Sequence, residues 1–202
     1  LEVRLKKYLG DNMSYKKVSK NFYYYEFRPY GKPKLWMPSS SYQCDLINSI
    51  GKNLQVVRSE FPAGAYMMTT SAVRTLADRQ RLIGKGYNPS ETSDHYYGEA
   101  PTLKRGTYKY KKYGATYNFA MGAVDIVSVN FPISKMFDLA VELTKQGRCD
   151  FGQIIHESSP NGKEWVHFGG DPKPFLSPDM VKFLNRVKYM ISADNGHTYK
   201  TL

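Results

Sequence analysis

The run Ala123-Val-Asp-Ile-Val-Ser-Val129 constrains the fold more than any other stretch of the chain. Its β-branched residues favour a buried, extended strand. Yet Asp125 sits among them, and a carboxylate is costly to bury unless it is paired or bound to a metal. A fold for this sequence must cover the strand and also bring partners to Asp125. Length permits this, since 202 residues suit one domain, or two small ones at most. A chain of that size buries about 70% of its unfolded surface and needs neither disulfides nor a structural metal to hold a core. With 41% hydrophobic and 23% charged residues, the composition is that of a globular protein.

Around that strand, helices and strands do not alternate as βαβ units. Residues 1–20 read as a basic arm or linker. From Asn21 the texture turns aromatic, through Phe22, Tyr23, Tyr24, Tyr25 and Phe27, and then turn-rich in Arg28-Pro-Tyr-Gly-Lys-Pro33. Ser40 and Gln43 form a capping box ahead of Leu46, Ile47, Ile50, Leu54, Val57 and Phe61 at helical spacing. Pro62-Ala-Gly64 ends that helix, residues 65–70 read as a short strand, and residues 71–83 as a helix stopped by Gly84 and Gly86. Ser134 is placed to cap an amphipathic helix through Met136, Phe137, Ala140, Val141 and Leu143. Residues 151–157 and 164–168 read as a hairpin whose connection holds Asn161-Gly162. A last helix is expected from Ser177, with Pro178 at its first position and Asp179 in its first turn, through Met180, Val181, Leu184, Val187 and Ile191. The pattern predicts an α+β fold: a mostly antiparallel sheet packed with helices in residues 21–202.

Cys44 and Cys149 lie far apart with no Cys-x-x-Cys, which excludes a disulfide-stapled scaffold, a thioredoxin-type motif and a cysteine zinc finger. No segment approaches the roughly 20 apolar residues of a membrane span. The opening Leu-Glu-Val-Arg-Leu-Lys-Lys places charges where a signal peptide would be apolar, so a soluble chain without one is expected. It also lacks an initiator Met, as a processed product or a piece of a larger protein would. The formal charge of +11 predicts attraction to polyanions such as nucleic acid, anionic lipid or wall polymers, without choosing among them. Residues 1–20 carry six basic residues against two acidic ones.

Few residues have the chemistry for a site. The four histidines are His95, His156, His167 and His197. His95 follows a polar loop in Ser93-Asp-His-Tyr-Tyr-Gly-Glu-Ala100, and His167 lies among strand formers in Glu164-Trp-Val-His167. With Asp125 they make a reasonable sphere for a catalytic zinc, which takes three protein ligands and leaves one place open. Glu164 is a candidate proton acceptor. Residues three apart in a regular strand face opposite sides, however, so Glu164 and His167 converge only at a bulge or strand end, whereas Trp165 and His167 share a face. Ordinary roles stand beside these: hydrogen-bonded or surface histidines, a turn role for Ser93 and a surface role for Arg74. His197, in Asp194-Asn-Gly-His-Thr198, reads as an exposed tail residue.

Taken together, Ser93-x-His95-x-x-Gly98-x-Ala100, Ala123-x-Asp125-Ile126 and Glu164-Trp165-Val166-His167 resemble the zinc D-Ala-D-Ala carboxypeptidase and L-alanyl-D-glutamate endopeptidase group, the M15 metallopeptidase family, which includes many phage endolysins. Supporting context spans residues 21–168, with Asn21-Phe22, Glu26-Phe27, Thr69-Thr-Ser-Ala-Val-Arg74 and Phe151-Gly-Gln-Ile-Ile155. The resemblance implies zinc held by His95, Asp125 and His167, with Glu164 as general base and Glu157 as its rival. It also implies Arg74 pairing with a substrate carboxylate or oxyanion and Ser93 bonding substrate; His156, which alternates with Glu157 to the opposite strand face, reads as structural or supporting. The implied activity is hydrolysis of peptide bonds in peptidoglycan stem peptides at the bacterial cell wall, by a phage lysis protein or virion component.

The family pattern closes on an aspartate two positions after the alanine, where this chain has Thr102. Residues 101–121 therefore read as an insertion. It holds Lys104, Arg105, Lys109, Lys111 and Lys112 with no acidic residue, and Thr107-Tyr-Lys-Tyr-Lys111 alternates as a strand before Gly114 turns the chain. A basic, tyrosine-bearing hairpin is expected, either gripping an anionic polymer or simply solvated. The alternative to an enzyme is an inactive relative that binds cell wall or builds a virion. Nucleic-acid binding ranks last, because no helix-turn-helix, RRM or zinc-finger signature accompanies the charge.

Overall fold

The structure, a computed structural model, describes residues 16–38, 41–89, 93–97, 108–112, 115–119, 122–171, 188–192 and 198–202. Helix α1 (Ser41–Ser59) buries the stripe Leu46, Ile47, Ile50, Leu54 and Val57, whose spacing of three and four residues places them on one face. Strand β1 (Tyr66–Ser71) follows the Pro62-Ala-Gly64 break, and a short helix α2 spans Leu76–Ile83. Strands β2 (Tyr108–Lys112) and β3 (Ala115–Phe119) pair antiparallel as a separate ribbon, as the alternation in that segment predicts.

The remaining strands build one sheet: β4 (Ala123–Val129), β5 (Phe151–Ser158), β6 (Glu164–Gly170), β7 (Lys188–Ser192) and β8 (Lys200–Thr201) join β1 in the order β1-β4-β6-β5-β7-β8. Every neighbouring pair is antiparallel except β5–β7, which is parallel. Helix α3 (Ile133–Lys145) lies between β4 and β5 in sequence. It buries Met136, Phe137, Ala140 and Leu143 against the same sheet face that α1 covers. That face supplies Val124, Ile126, Ile154, Val166 and Phe168 to the core. The fold is α+β in a single unit, with a mixed sheet backed by helices.

The N-terminal aromatic cluster closes this core. Phe22 and Phe27 are buried beside α1, and Val18 packs over Gly51, where any Cβ would overlap it. Residues 16–20 thus belong to the packed unit, Lys17 bridging Tyr23. No helix among the described residues is long and apolar enough to cross a membrane.

Three expected elements differ. Residues 71–75 do not extend α2, because their backbone is used elsewhere. Val73 N–H bonds Phe27 O at 3.1 Å and Arg74 N–H bonds His95 O at 2.8 Å. The helix starts instead after Thr75, whose hydroxyl accepts from Asp78 N–H at 3.1 Å. Ser134 does not cap α3; Pro132 holds that position, its carbonyl accepting from Met136 N–H at 3.0 Å. Residues 188–192, expected at the end of the last helix, form β7, since β5 supplies an open edge and takes up their backbone bonds. Ser40, the stretch 172–187 and His197 lie outside the described residues.

Candidate metal centre

The two candidate ligands on strands are neighbours by register. Asp125 in β4 stands directly opposite His167 in β6, and their side chains leave the sheet on the face away from the helices. Asp125 Oδ1 lies 3.0 Å from His167 Nδ1. On the other side of Asp125, β1 carries a bulge: the pairing slips between Thr69 and Ser71, so Ser71 meets Asp125. The extra residue, Thr70, donates its hydroxyl to the Asp125 carbonyl at 3.1 Å.

His95 arrives from a 3-10 turn, Asp94–Tyr96. Ser93 caps the turn, its Oγ accepting from His95 N–H at 3.3 Å. Tyr97 ends it in a left-handed conformation (φ 48°) and donates its hydroxyl to the Ala123 carbonyl at 3.0 Å, tying the turn to β4. Gly122 is needed at this crossing, for its φ is 74° and a Cβ there would come within 2.7 Å of the Tyr97 ring.

The ring of His95 is oriented by the chain just after β1. Its Nδ1 lies 2.7 Å from the Ala72 carbonyl. A carbonyl only accepts, so Nδ1 carries the proton and Nε2 presents a lone pair to the site. That Nε2 is 3.2 Å from Asp125 Oδ1 and 3.2 Å from His167 Nδ1. Three donor atoms thus face one another at 3.0–3.2 Å. Four-coordinate zinc with bonds of about 2.0–2.1 Å has its ligand atoms about 3.3 Å apart, so the triangle has the size of a tetrahedral face. The chemistry fits too. With His95 Nε2 a lone pair and Asp125 Oδ1 an acceptor, only His167 Nδ1 can offer a proton, which leaves one contact acceptor against acceptor. A cation among the three satisfies them all, and this buried group can hold a metal ion.

Electrostatics point the same way. Burial lowers the pKa of His95, outweighing the opposing pull of Asp125, while Arg74 adds to the lowering. Burial by itself would raise Asp125, yet the two histidines hold it well below the usual carboxylate range. For His167, burial pulls down, but its hydrogen bond to Asp125 and the charges of Asp125 and Glu157 raise it overall. A neutral imidazole, an ionised carboxylate and an imidazole with a removable proton form a suitable set for a divalent cation.

Beyond the triangle lies a cleft of about 780 Å³. Glu157, in β5, is on the same face: it pairs with Trp165 while its neighbour-but-one Ile155 pairs with His167. Its carboxylate is buried and accepts from Trp165 Nε1 at one oxygen and from the Tyr199 hydroxyl, at 3.1 Å, at the other. Burial raises its pKa against the lowering influence of His167 and of these two bonds. Glu164 sits differently. Strand alternation carries it to the side of Val166, where its half-exposed carboxylate lies 3.6 Å from His156 Nε2. It is nonetheless among the residues that line the cleft, while His156 itself packs beside Phe137 of α3.

Arg74 is buried in the cleft wall and donates from Nη1 to Ser93 Oγ at 3.3 Å. Its Nε has no partner among the described residues. Ser93 therefore serves the turn and Arg74 together. Gly98 and Ala100 of the motif lie outside the described residues.

Sequence reasoning brings His95, Asp125, His167, Arg74 and Ser93 to this cleft and weighs Glu157 beside Glu164. It misses Tyr199 and the Ala72 carbonyl. The short hairpin connection carries a usable signal for Glu157, since pairing across it puts Glu157 opposite Trp165. Nothing local signals Tyr199, whose approach depends on β7. No family model, curated protein or solved structure matches the chain.

Proposed function

We propose that this chain is a zinc-dependent peptidase acting on the stem peptides of peptidoglycan. The observation that carries the reading is the convergence of His95 Nε2, Asp125 Oδ1 and His167 Nδ1 from three separate segments onto one buried point beside a cleft. The choice of substrate rests on the motif resemblance, with the basic segments suited to an anionic wall. Zinc held by these three residues would supply Lewis-acid polarisation of the scissile carbonyl and bring a water pKa down to about 7.

The chain's own groups then divide the remaining work. Glu157, on the ligand face and fixed by two hydrogen bonds, takes the proton of the attacking water. The water oxygen bonds to the carbonyl carbon, and the same proton passes to the amine nitrogen as the C–N bond breaks. A raised carboxyl pKa suits a group that must both accept and return a proton near neutrality. Arg74, held by Ser93, offers its guanidinium to the carbonyl oxygen or to a substrate carboxylate. Glu164, half exposed and turned to His156, is given no part in the proton transfer.

A metal assay with hydrolysis of purified peptidoglycan tests this. One zinc per chain and chelator-sensitive release of amines are expected. Glu157→Gln should keep the zinc and lose activity by about a hundredfold or more. A folded chain with no zinc affinity defeats the proposal. Zinc binding without hydrolysis would favour the non-catalytic wall-binding module.

A further inference from the structure

We propose that Tyr199, delivered by the C-terminal strand β8, is a positioning residue that holds the Glu157 carboxylate in one orientation. The inference rests on the hydrolase reading above and deepens it. Its basis is the route by which the tyrosine arrives. Glu157 pairs with Ser192 of β7, and β7 pairs with β8 through Ile191–Lys200 and Met190–Thr201. One step further along that register places Tyr199 beside Ser192, so Tyr199 and Glu157 are in line with β7 between them. Ser192 is small and buried, and a phenol is long enough to pass over it. The hydroxyl then reaches Glu157 Oε1 at 3.1 Å.

The geometry at the carboxylate gives this contact its meaning. A glutamate's last torsion is a broad two-fold rotor, so a single donor leaves the group free to swing. Here Trp165 Nε1 donates to Oε2 and Tyr199 to Oε1. Each oxygen of an ionised carboxylate has two lone pairs, so one on each remains available to a water in the cleft. Trp165 comes from β6, next to a metal ligand. Tyr199 immediately precedes a strand of two residues, Lys200–Thr201, held further by Leu202 N–H on the Tyr189 carbonyl at 2.9 Å. The tyrosine is about half exposed (48%) at the cleft wall, as expected of a group serving the site rather than the core.

Tyr199→Phe tests this directly, since it keeps the ring and removes one hydroxyl. Two readouts are needed. In the active protein, kcat should fall about tenfold with KM within about twofold, reflecting a lost hydrogen bond to a charged group. In the metal-free protein, the indole N–H signal of Trp165, assigned by its disappearance in Trp165→Phe, should move, because the carboxylate it donates to is no longer held. An unmoved indole signal overturns the proposal, as does an unchanged kcat or a change in KM alone. Should the native chain bind zinc yet hydrolyse nothing, the hydrolase reading falls. The indole signal then decides by itself whether Tyr199 holds Glu157.

Discussion

On the helix-covered face of the sheet, Val124, Ile126, Ile154, Val166 and Phe168 are fully buried under α1 and α3. One residue along the same strands, on the other face, come Asp125, Gln153, Glu157, Trp165 and His167, lining a cleft. The two sets are interleaved in sequence, and only the period of two separates them. The apolar face fixes the register of β4 against β6, and that register alone sets Asp125 opposite His167. Chemistry on the open face is therefore positioned by packing on the closed one.

The largest effect should come from breaking the open face at its centre. Asp125→Ala removes the one oxygen that both histidines meet. Stoichiometric zinc binding and hydrolysis should both vanish while the far-ultraviolet circular dichroism stays native. Equilibrium dialysis beside the spectrum checks this. Full zinc occupancy in that variant would mean that the triangle is not the metal site.

Next comes the closed face. Phe168 is fully buried and packs against Phe151, the rings tilted and their centroids 4.8 Å apart. Phe168→Ala should cost about 3–5 kcal/mol in denaturant unfolding, from lost burial and the cavity left behind. It adjoins His167 in sequence but points away from it, so zinc stoichiometry of the folded fraction should survive. Loss of metal at native stability would reverse the roles assigned to the two faces.

A smaller effect should appear in pH. His167 has a raised pKa in the metal-free chain, as Asp125 outweighs the burial that pulls it down, whereas burial keeps His95 neutral. Zinc then has one proton to displace, so its apparent affinity should rise with pH, about tenfold per unit while His167 is protonated, and level off above. A competition titration against a chelator of known affinity measures the slope. A slope near two would show that His95 is also protonated and that the Ala72 contact does not fix its tautomer.

Much of this division is legible in the sequence, for a definite reason. Alternation is a local property, so Ala123 to Val129 announces both a strand and an out-of-place acid. The amphipathic stripe of α3 and the hairpin of β5 and β6 are local as well. What escapes is set by distant partners. Residues 72–74 look helical until their backbone is seen bonded to Phe27 and His95. Ile191 continues the helical spacing of Leu184 and Val187, and only the free edge of β5 makes residues 188–192 a strand. Tyr199 inherits that obscurity, being located by a strand that is itself unreadable.

The two carboxylates of the hairpin give the finest test. Glu157 and Glu164 are both near His167 in space or sequence, and a motif alone favours Glu164. Strand alternation separates them: Glu157 is buried with two donors on the open face, beside His167, while Glu164 is half exposed and meets His156. Its carboxylate is half exposed and, among the described residues, has only this long contact, at 3.6 Å, so it carries little of the fold's stability. Glu164→Gln should therefore leave stability within about 1 kcal/mol. Its kcat should stay within about twofold of native, which at 1.4 kcal/mol per tenfold is a barrier change well under 1 kcal/mol. Steady-state kinetics of Glu164→Gln beside Glu157→Gln reads the difference. If Glu164→Gln were the inactive variant, the end of β6 would have to twist toward the ligands when substrate binds. The face a residue occupies in the resting sheet would then no longer assign its role.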